Sequence, residues 1–296
     1  MLHKQERKSD MYETTKDKIQ TTSALPDTQN QIDKRNIPIN KVGVKNLKYP
    51  IIVKDRQKET QHTIATISMT VDLPKHFKGT HMSRFVEILQ SKENVIHIDS
   101  IFHLLDEMTG KLNANAAHIE MEFPYFRVKR APVTRKQSLM DYTVKFHAVK
   151  NITGTDFIMT VKIPVTTLCP CSKNISEYGA HNQRGEVTVS VRFSGLLWIE
   201  DVIDIAEKSA SSELYSLLKR EDEKFVTERA FDNPVFVEDL VRNVALKLRQ
   251  NKQVLWYSVE AENFESIHNH NAYAVIESDA EFNNGNEKSF IIKRYN

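Results

Sequence analysis

The 296-residue chain is poor in cysteine and has almost no net charge. Its 41 Lys and Arg residues nearly balance 39 Asp and Glu residues, for a net charge of +2. This balance gives no electrostatic reason to expect a nucleic-acid partner. No run of about 18–20 uncharged apolar residues is present, so we expect no membrane span. The N-terminal MLHKQERKSDMYETTKDK has no apolar core, so we expect no secretory signal.

The two cysteines, Cys169 and Cys171, are separated by a single residue. A disulfide between them would close a very small, strained loop. Reduced thiols and a cytoplasmic location are therefore expected. The sequence also lacks a GxxxxGK[ST] loop, which argues against a phosphate-cleaving NTPase of that type.

Strict alternation of apolar and polar residues predicts half-buried strands at 63–73 and 186–193. Strand-like runs also occur around 116–128, 139–149, 155–167, 254–262 and 272–278. Residues 1–36 are polar, without a sustained period, and are predicted to be a disordered arm. Order is expected to begin near Ile37.

Apolar residues at spacings of three and four predict four helices. Two of them follow the first strands, with stripes from Met82 to Leu89 and from Ile98 to Met108. The third has a stripe from Val202 to Leu217, and the fourth is expected to begin with Asn233 as N-cap and Pro234 at its first position. The order strand–strand–helix–helix–strand–strand thus occurs twice. It predicts an α+β fold with antiparallel sheets covered on one face by helices, in modules 37–150 and 151–296.

The segment TTLCPCSKNISEYGAHNQRG (166–185) concentrates reactive side chains between two predicted strands. Pro170 restricts Cys169 to an extended conformation. If Cys171 is extended too, both thiols point to the same side, and the intervening loop can bring His181 back to them. Thiolate and imidazole are good zinc ligands, and a carboxylate is the natural third. The alternative is that these are ordinary polar-loop residues near a buried cysteine.

Four further residues lie near the ends of predicted elements. Glu223 closes a charged run at the expected end of a helix, and solvated charge is the alternative reading. Glu238 lies in the first turns of the last helix, where a carboxylate also complements the helix dipole. His268 and His270 share the loop between the last two strands. They suit proton transfer near pH 7, but they are equally compatible with an ordinary hairpin loop.

The run CPCSKNISEYGAHNQRG closely resembles the signature of the type IB GTP cyclohydrolases, the FolE2 family. IPINKVGVKNLKYPI, LPKHFKGTHMSRFVEIL and SIHNHNAYA resemble the same family, so the resemblance extends from about residue 37 to the end. It implies the tunnelling fold, with two tandem modules, each a four-stranded antiparallel sheet with two helices on one face. It also implies a homotetramer with active sites where subunits meet.

The resemblance implies the reaction and the roles of site residues. GTP would undergo metal-dependent hydrolytic opening of its guanine imidazole ring, giving 7,8-dihydroneopterin triphosphate and formate in the first step of tetrahydrofolate biosynthesis. The cofactor would be one divalent metal per site: zinc, manganese or iron. The implied positions are Cys169, His181 and Glu223 as metal ligands, Cys171 as the second active-site thiol, Glu238 as the purine anchor, and His268 as an active-site histidine.

The triphosphate requires cations. Lys173 and Arg184 border the 166–185 segment, and Arg84 lies at a predicted helix start, where free backbone N–H groups also favour anions. Two other functions are open. One is the related NADPH-dependent nitrile reductase of queuosine synthesis, which uses its thiol as a nucleophile and needs no metal. The other is a non-catalytic purine- or pterin-binding module with a structural metal, which would normally have four protein ligands.

Overall fold

The computed structural model describes residues 27–29, 31–90, 95–96 and 98–278. The strands are β1 (Ile39–Asp55), β2 (Glu59–Leu73), β3 (Val95–Ile96), β4 (Ala117–Arg130), β5 (Gln137–Asn151), β6 (Gly154–Leu168), β7 (Asn182–Phe193), β8 (Ser212–Glu213), β9 (Val254–Asn263) and β10 (Ala272–Glu277). The helices are α1 (Met82–Gln90), α2 (Ile98–Lys111), α3 (Pro170–Ile175), α4 (Ile199–Glu207), α5 (Arg220–Asp232) and α6 (Val237–Gln250). Among the described residues, no helix is long and apolar enough to cross a membrane.

All ten strands belong to one sheet, in the order β10-β9-β7-β6-β5-β4-β2-β1-β3, with β8 paired to β6. The pairing is antiparallel except between β1 and β3. We call β1–β5 with α1 and α2 the first half, and β6–β10 with α3–α6 the second half. β5 pairs with β6 from Thr143↔Lys162 to Asn151↔Gly154, so the two halves share one hydrogen-bonded sheet. The predicted α+β fold with antiparallel strands is confirmed.

One face of this sheet is apolar across both halves. Its central row consists of buried residues paired from strand to strand: Ile67, Met121, Phe146, Met159, Val191 and Tyr257. Apolar residues of α1, α2, α4 and α6 pack onto this face and form one core with it. Burial of each large apolar side chain contributes about 1.5–3 kcal/mol. The halves therefore share their hydrophobic core as well as their hydrogen bonds.

Helix α4 of the second half is also joined to the first half by charge. The pairs are Arg56–Asp201 (2.7 Å), Arg127–Asp204 (2.5 Å) and Lys129–Glu207 (2.7 Å). Only the Lys129–Glu207 pair is fully buried, and the Tyr142 hydroxyl donates a further hydrogen bond to Glu207. Burial raises the pKa of Glu207 above its usual range, although Lys129 opposes that shift. This pair fixes α4 against the strands of the other half.

The predicted helix reaching Leu217 is wrong in its second part, because α4 ends at Glu207. The Ser209 hydroxyl donates a hydrogen bond to the Ile205 carbonyl, and Ser212–Glu213 pairs with β6 as strand β8. Serine hydroxyls compete with helical hydrogen bonds in this way. The apolar residues beyond Glu207 therefore lie outside the helix, in the turn before β8 and the irregular segment after it.

The prediction that Glu223 lies at the end of a helix is wrong, because the charged run at 219–223 is at the start of α5. α5 starts at Arg220, and the Lys219 N–H donates to the Asp222 carboxylate at 3.0 Å. Asn233 is correspondingly the C-cap of α5, and α6 begins only at Val237. The Asn233 side chain donates to the Ala210 carbonyl at 3.0 Å, which holds it in the link between the two helices.

Ordered contacts begin before Ile37. The Asp33 N–H donates to the His76 carbonyl at 3.1 Å, and the Lys78 N–H donates to the Gln31 carbonyl at 3.0 Å. This short stretch therefore pairs with the connection between β2 and α1. The part of the predicted arm at 1–26 lies outside the described residues.

Candidate active site

The ends of β6 and β7 bring Cys169 and His181 side by side in the backbone. Leu168 pairs with Asn182, and the Cys169 N–H donates to the His181 carbonyl at 3.1 Å. Cys169 is extended, at φ −70° and ψ 117°, as the following proline predicts. Cys171 is not extended: it lies in the short helix α3 and is exposed. The prediction that both thiols point to the same side required two extended cysteines. It therefore does not hold for Cys171, which is helical.

The imidazole of His181 is held by an acceptor on its Nδ1 side. Its Nδ1 lies 2.9 Å from Gln183 Oε1. The Gln183 amide nitrogen donates to Thr167 Oγ1 at 3.1 Å and to Glu265 Oε1 at 3.4 Å. Because a carboxylate can only accept, these bonds orient the amide oxygen toward the ring, and Nδ1 must carry the proton. The Nε2 lone pair of His181 is thereby left for a ligand.

Gln183 and Glu265 adjoin the candidate ligand His181 and were not among the residues predicted from the sequence. The side chain of Glu265 is only 11% exposed, and its Oε2 lies 3.9 Å from His181 Nδ1. Gln183 could have been identified from its position two residues after His181, because such residues share one side of a strand. Glu265 could not be identified from the sequence, because its proximity to His181 depends on the pairing of β7 with β9, which brings its loop to the same end of the sheet.

The carboxylates Glu223 and Glu238 lie in the first turns of α5 and α6, and both are exposed. Among the described residues, no three His, Cys, Asp or Glu side chains are grouped so that they could hold a metal. The single chain thus brings together the backbones of Cys169 and His181 but does not assemble Glu223 with them into a metal-binding cluster.

His268 and His270 lie in the exposed loop between β9 and β10. Their rings stack with centroids 5.1 Å apart. The Phe264 N–H donates to the Arg184 carbonyl at 2.9 Å, so the start of this loop is fixed to β7. The loop therefore approaches the Cys169–His181 end of the sheet from the neighbouring hairpin.

The three candidate cations have different surroundings. Lys173 contacts the Phe231 carbonyl, and its ammonium lies 4.3 Å from the centroid of that ring. Arg184 is exposed on β7. Arg84 is in the first half, on α1, and donates to the Lys111 carbonyl at 3.1 Å. α1 packs against β1, which is four strand spacings from β6, or about 19 Å. Arg84 therefore lies far from the other candidates within one chain.

Residues 25–274 match the family model described as type I GTP cyclohydrolase folE2. The chain is 58% identical to the GTP cyclohydrolase FolE2 of Geobacter sp. (strain M21) over 258 residues, or 87% of this chain and 96% of that protein. It is also 58% identical to the protein of that name from Nitrosococcus oceani over 257 residues, 86% of this chain and 96% of that one.

Solved structures with a similar arrangement include a uricase from Bacillus fastidious, with 9% identity and a TM-score of 0.49 over 82% of this chain and 93% of that one. The uricase from Arthrobacter globiformis has 8% identity and a TM-score of 0.45, over 81% and 92%. The resemblance inferred from the sequence motifs is confirmed by the family match and by the relatives that share more than half of their residues with this protein. The chain belongs to the FolE2 family of type I GTP cyclohydrolases.

Proposed function

We propose that Cys169, His181 and Glu223 hold the divalent metal with which this enzyme opens the guanine ring of GTP. The observation that carries the proposal is the Gln183 hydrogen bond to His181 Nδ1, which leaves Nε2 as a ligand beside the Cys169 backbone. A soft thiolate, an imidazole and a carboxylate suit zinc, manganese or iron. When bound, the metal supplies Lewis-acid activation of water for hydrolysis at neutral pH.

The reaction is that of a GTP cyclohydrolase, with GTP as substrate. It hydrolyses the guanine imidazole ring, releases C8 as formate and yields 7,8-dihydroneopterin triphosphate, the first step of tetrahydrofolate biosynthesis. His268 donates the proton that makes C8 electrophilic, since a histidine side chain is the group most often used as a general acid. Cys171, exposed at the start of α3, is the second thiol facing the reacting base.

Recognition of guanine falls to Glu238. Its carboxylate accepts hydrogen bonds from the guanine N–H groups and rejects adenine, which would leave the carboxylate unpaired. Its position in the first turn of α6 fixes it on a rigid element. Lys173, Arg184 and Arg84 are assigned to the triphosphate, with Arg84 contributed from another subunit because of its distance from the site within one chain.

The enzyme is proposed to be a cytoplasmic homotetramer whose active sites are completed by a neighbouring subunit. Two observations support this arrangement. Glu223 and Arg84 are not assembled with Cys169 in one chain, and large apolar side chains are exposed in the segments around the Cys169 end of β6: Ile175, Tyr178, Phe231, Phe236, Phe264 and Ile267. Large exposed apolar surface is typical of protein interfaces. Free, reduced Cys169 and Cys171 suit the cytoplasm.

The decisive experiment incubates metal-free protein with GTP, with and without Zn²⁺ or Mn²⁺, and assays formate and fluorescent oxidised neopterin. We expect both products only with metal, and neither from Cys169→Ala. Equal product formation after rigorous metal removal would refute the metal site. A folded protein that binds GTP but releases no formate with any metal would refute the proposed chemistry.

A further inference from the structure

Helix α5 is held at its first turn by a buried carboxylate. Asp222 has no solvent exposure and accepts hydrogen bonds from the N–H of Val133 (2.8 Å), the N–H of Thr134 (2.9 Å) and the Thr134 hydroxyl (2.6 Å). It also accepts from the N–H of Lys219 at 3.0 Å. The bond to Lys219 is the ordinary contact of a helix N-terminus. The other three reach the turn between β4 and β5 in the first half.

The opposite end of α5 is tied to the Cys169 end of β6. Lys173, in α3, contacts the Phe231 carbonyl in the last turn of α5. The Val235 N–H, just after α5, donates to the Leu168 carbonyl at 3.1 Å, next to Cys169. α5 therefore spans from the first half, at its start, to the thiol segment, at its end.

We propose that Asp222 is a positioning residue for the metal ligand Glu223. Glu223 follows Asp222 directly, and its N–H donates to the Lys219 carbonyl at 2.8 Å, so both side chains leave the same turn of α5. The three bonds from Val133 and Thr134 hold that turn against the first half, and in this proposal they fix the backbone from which the Glu223 side chain extends. This inference rests on the proposed function, in which Glu223 holds the metal.

Geometry favours positioning over simple helix capping. A cap requires only one backbone partner, whereas three of the four hydrogen bonds to Asp222 come from a hairpin nearly 90 residues earlier in the chain. Outer partners that orient metal ligands typically change metal affinity 10–100-fold when they are lost. Asp222 would act in this way through the backbone of α5.

The test compares Asp222→Asn and Thr134→Val with Glu221→Gln, an exposed carboxylate one residue before Asp222. Calorimetry measures the Kd of Zn²⁺ and Mn²⁺ for the metal-free full-length protein, beside its melting temperature and the kcat and KM for GTP. We expect Asp222→Asn to raise the metal Kd about 10–100-fold, and Thr134→Val to raise it less. Glu221→Gln should leave the Kd unchanged. Thr134→Val keeps the Lys219 contact, so it tests the inference even if Asp222→Asn does not fold.

A double-mutant cycle with Glu223→Gln separates positioning from general stabilisation. If Asp222 acts through Glu223, adding Asp222→Asn or Thr134→Val to Glu223→Gln should not weaken metal binding further. An equal loss in both backgrounds, or a lower melting temperature with unchanged metal Kd, overturns the positioning role. A wild-type protein that binds neither metal overturns the proposed metal site and this inference together; a wild-type protein that binds metal while Asp222→Asn and Thr134→Val keep its affinity overturns only the inference.

Discussion

The two halves of the sheet repeat the same main elements but differ in their connections. β1, β2, α1, α2, β4 and β5 correspond in order to β6, β7, α4, α6, β9 and β10. In the first half, β1 and β2 are joined by residues 56–58, and β4 and β5 by 131–136. In the second half, the equivalent connections are 169–181 and 264–271, and they contain Cys169, His181 and His268.

This difference shows that core residues and candidate site residues are distributed differently between the two halves. The strands of both halves contribute to one row of buried residues, so the core does not distinguish the halves. The candidate site residues lie mainly in the longer connections of the second half and in α5, which has no counterpart among the described residues of the first half. A duplicated scaffold can thus confine its reactive groups to one copy, where loop changes do not disturb the core.

The largest predicted effect tests whether the second half holds the chemistry. His268→Gln should lower kcat for GTP about 10²- to 10⁴-fold, because it removes the proposed general acid. The melting temperature should hardly change, since this histidine is exposed in a loop. The matched control is His62→Gln, an exposed histidine on β2 in the first half, which should retain activity. Comparable losses of kcat in both variants would mean that the residues needed for catalysis are not concentrated in the second half.

The second prediction concerns a buried ionic contact between the two halves. Lys129, 6% exposed in its side chain, lies 2.7 Å from Glu207 and 3.3 Å from Glu213. Lys129→Met should reduce the free energy of unfolding by about 3–5 kcal/mol, because it leaves buried carboxylate charge uncompensated. Urea denaturation at pH 7 measures this. The exposed pair Lys224–Glu228 is the control, and Lys224→Met should cost less than about 1 kcal/mol.

Much of the scaffold could be predicted from local patterns. The alternation at 63–73 placed Ala65, Ile67 and Met69 correctly in the core, because side chains of a strand alternate between its faces. The helix boundaries near α5 could not be predicted in the same way. Asp222 starts that helix while bonded to Val133 and Thr134, and such a long-range contact leaves no periodic signal in the sequence.

The candidate site shows the same limit. Cys169 and His181 stood out because they are close in sequence and chemically distinctive. Glu265 did not, because its proximity to His181 depends on the pairing of β7 with β9. The hydrogen bonds of Gln183 that set the tautomer of His181 likewise require the folded arrangement.

The third prediction compares two glutamines near the starts of equivalent strands. Gln183→Met on β7 should weaken Zn²⁺ or Mn²⁺ binding about 10–100-fold, because His181 loses the acceptor that fixes its tautomer. Gln61 on β2 instead bridges to the backbone of Phe126, at 2.7 and 2.8 Å. Gln61→Met should lower the melting temperature without changing the metal Kd measured by calorimetry. Equal metal affinities for Gln183→Met and the wild type would remove Gln183 from the site.

The smallest effect concerns a first-half histidine with no proposed catalytic role. Burial, then the charges of Lys41 and His147, lower the pKa of His118 from 6.5 to about 4, against the opposing effects of Asp72 and Glu120. Between these two pH values, the unfolded chain therefore binds more protons than the native protein. The contribution of His118 to the free energy of unfolding is complete above about pH 6.5 and is lost as the pH falls toward 4. His118→Gln should flatten the dependence of unfolding free energy on pH in this window, as measured by urea denaturation. An unchanged slope would show that His118 titrates alike in both states, and the first half would then contribute nothing to acid sensitivity through this residue.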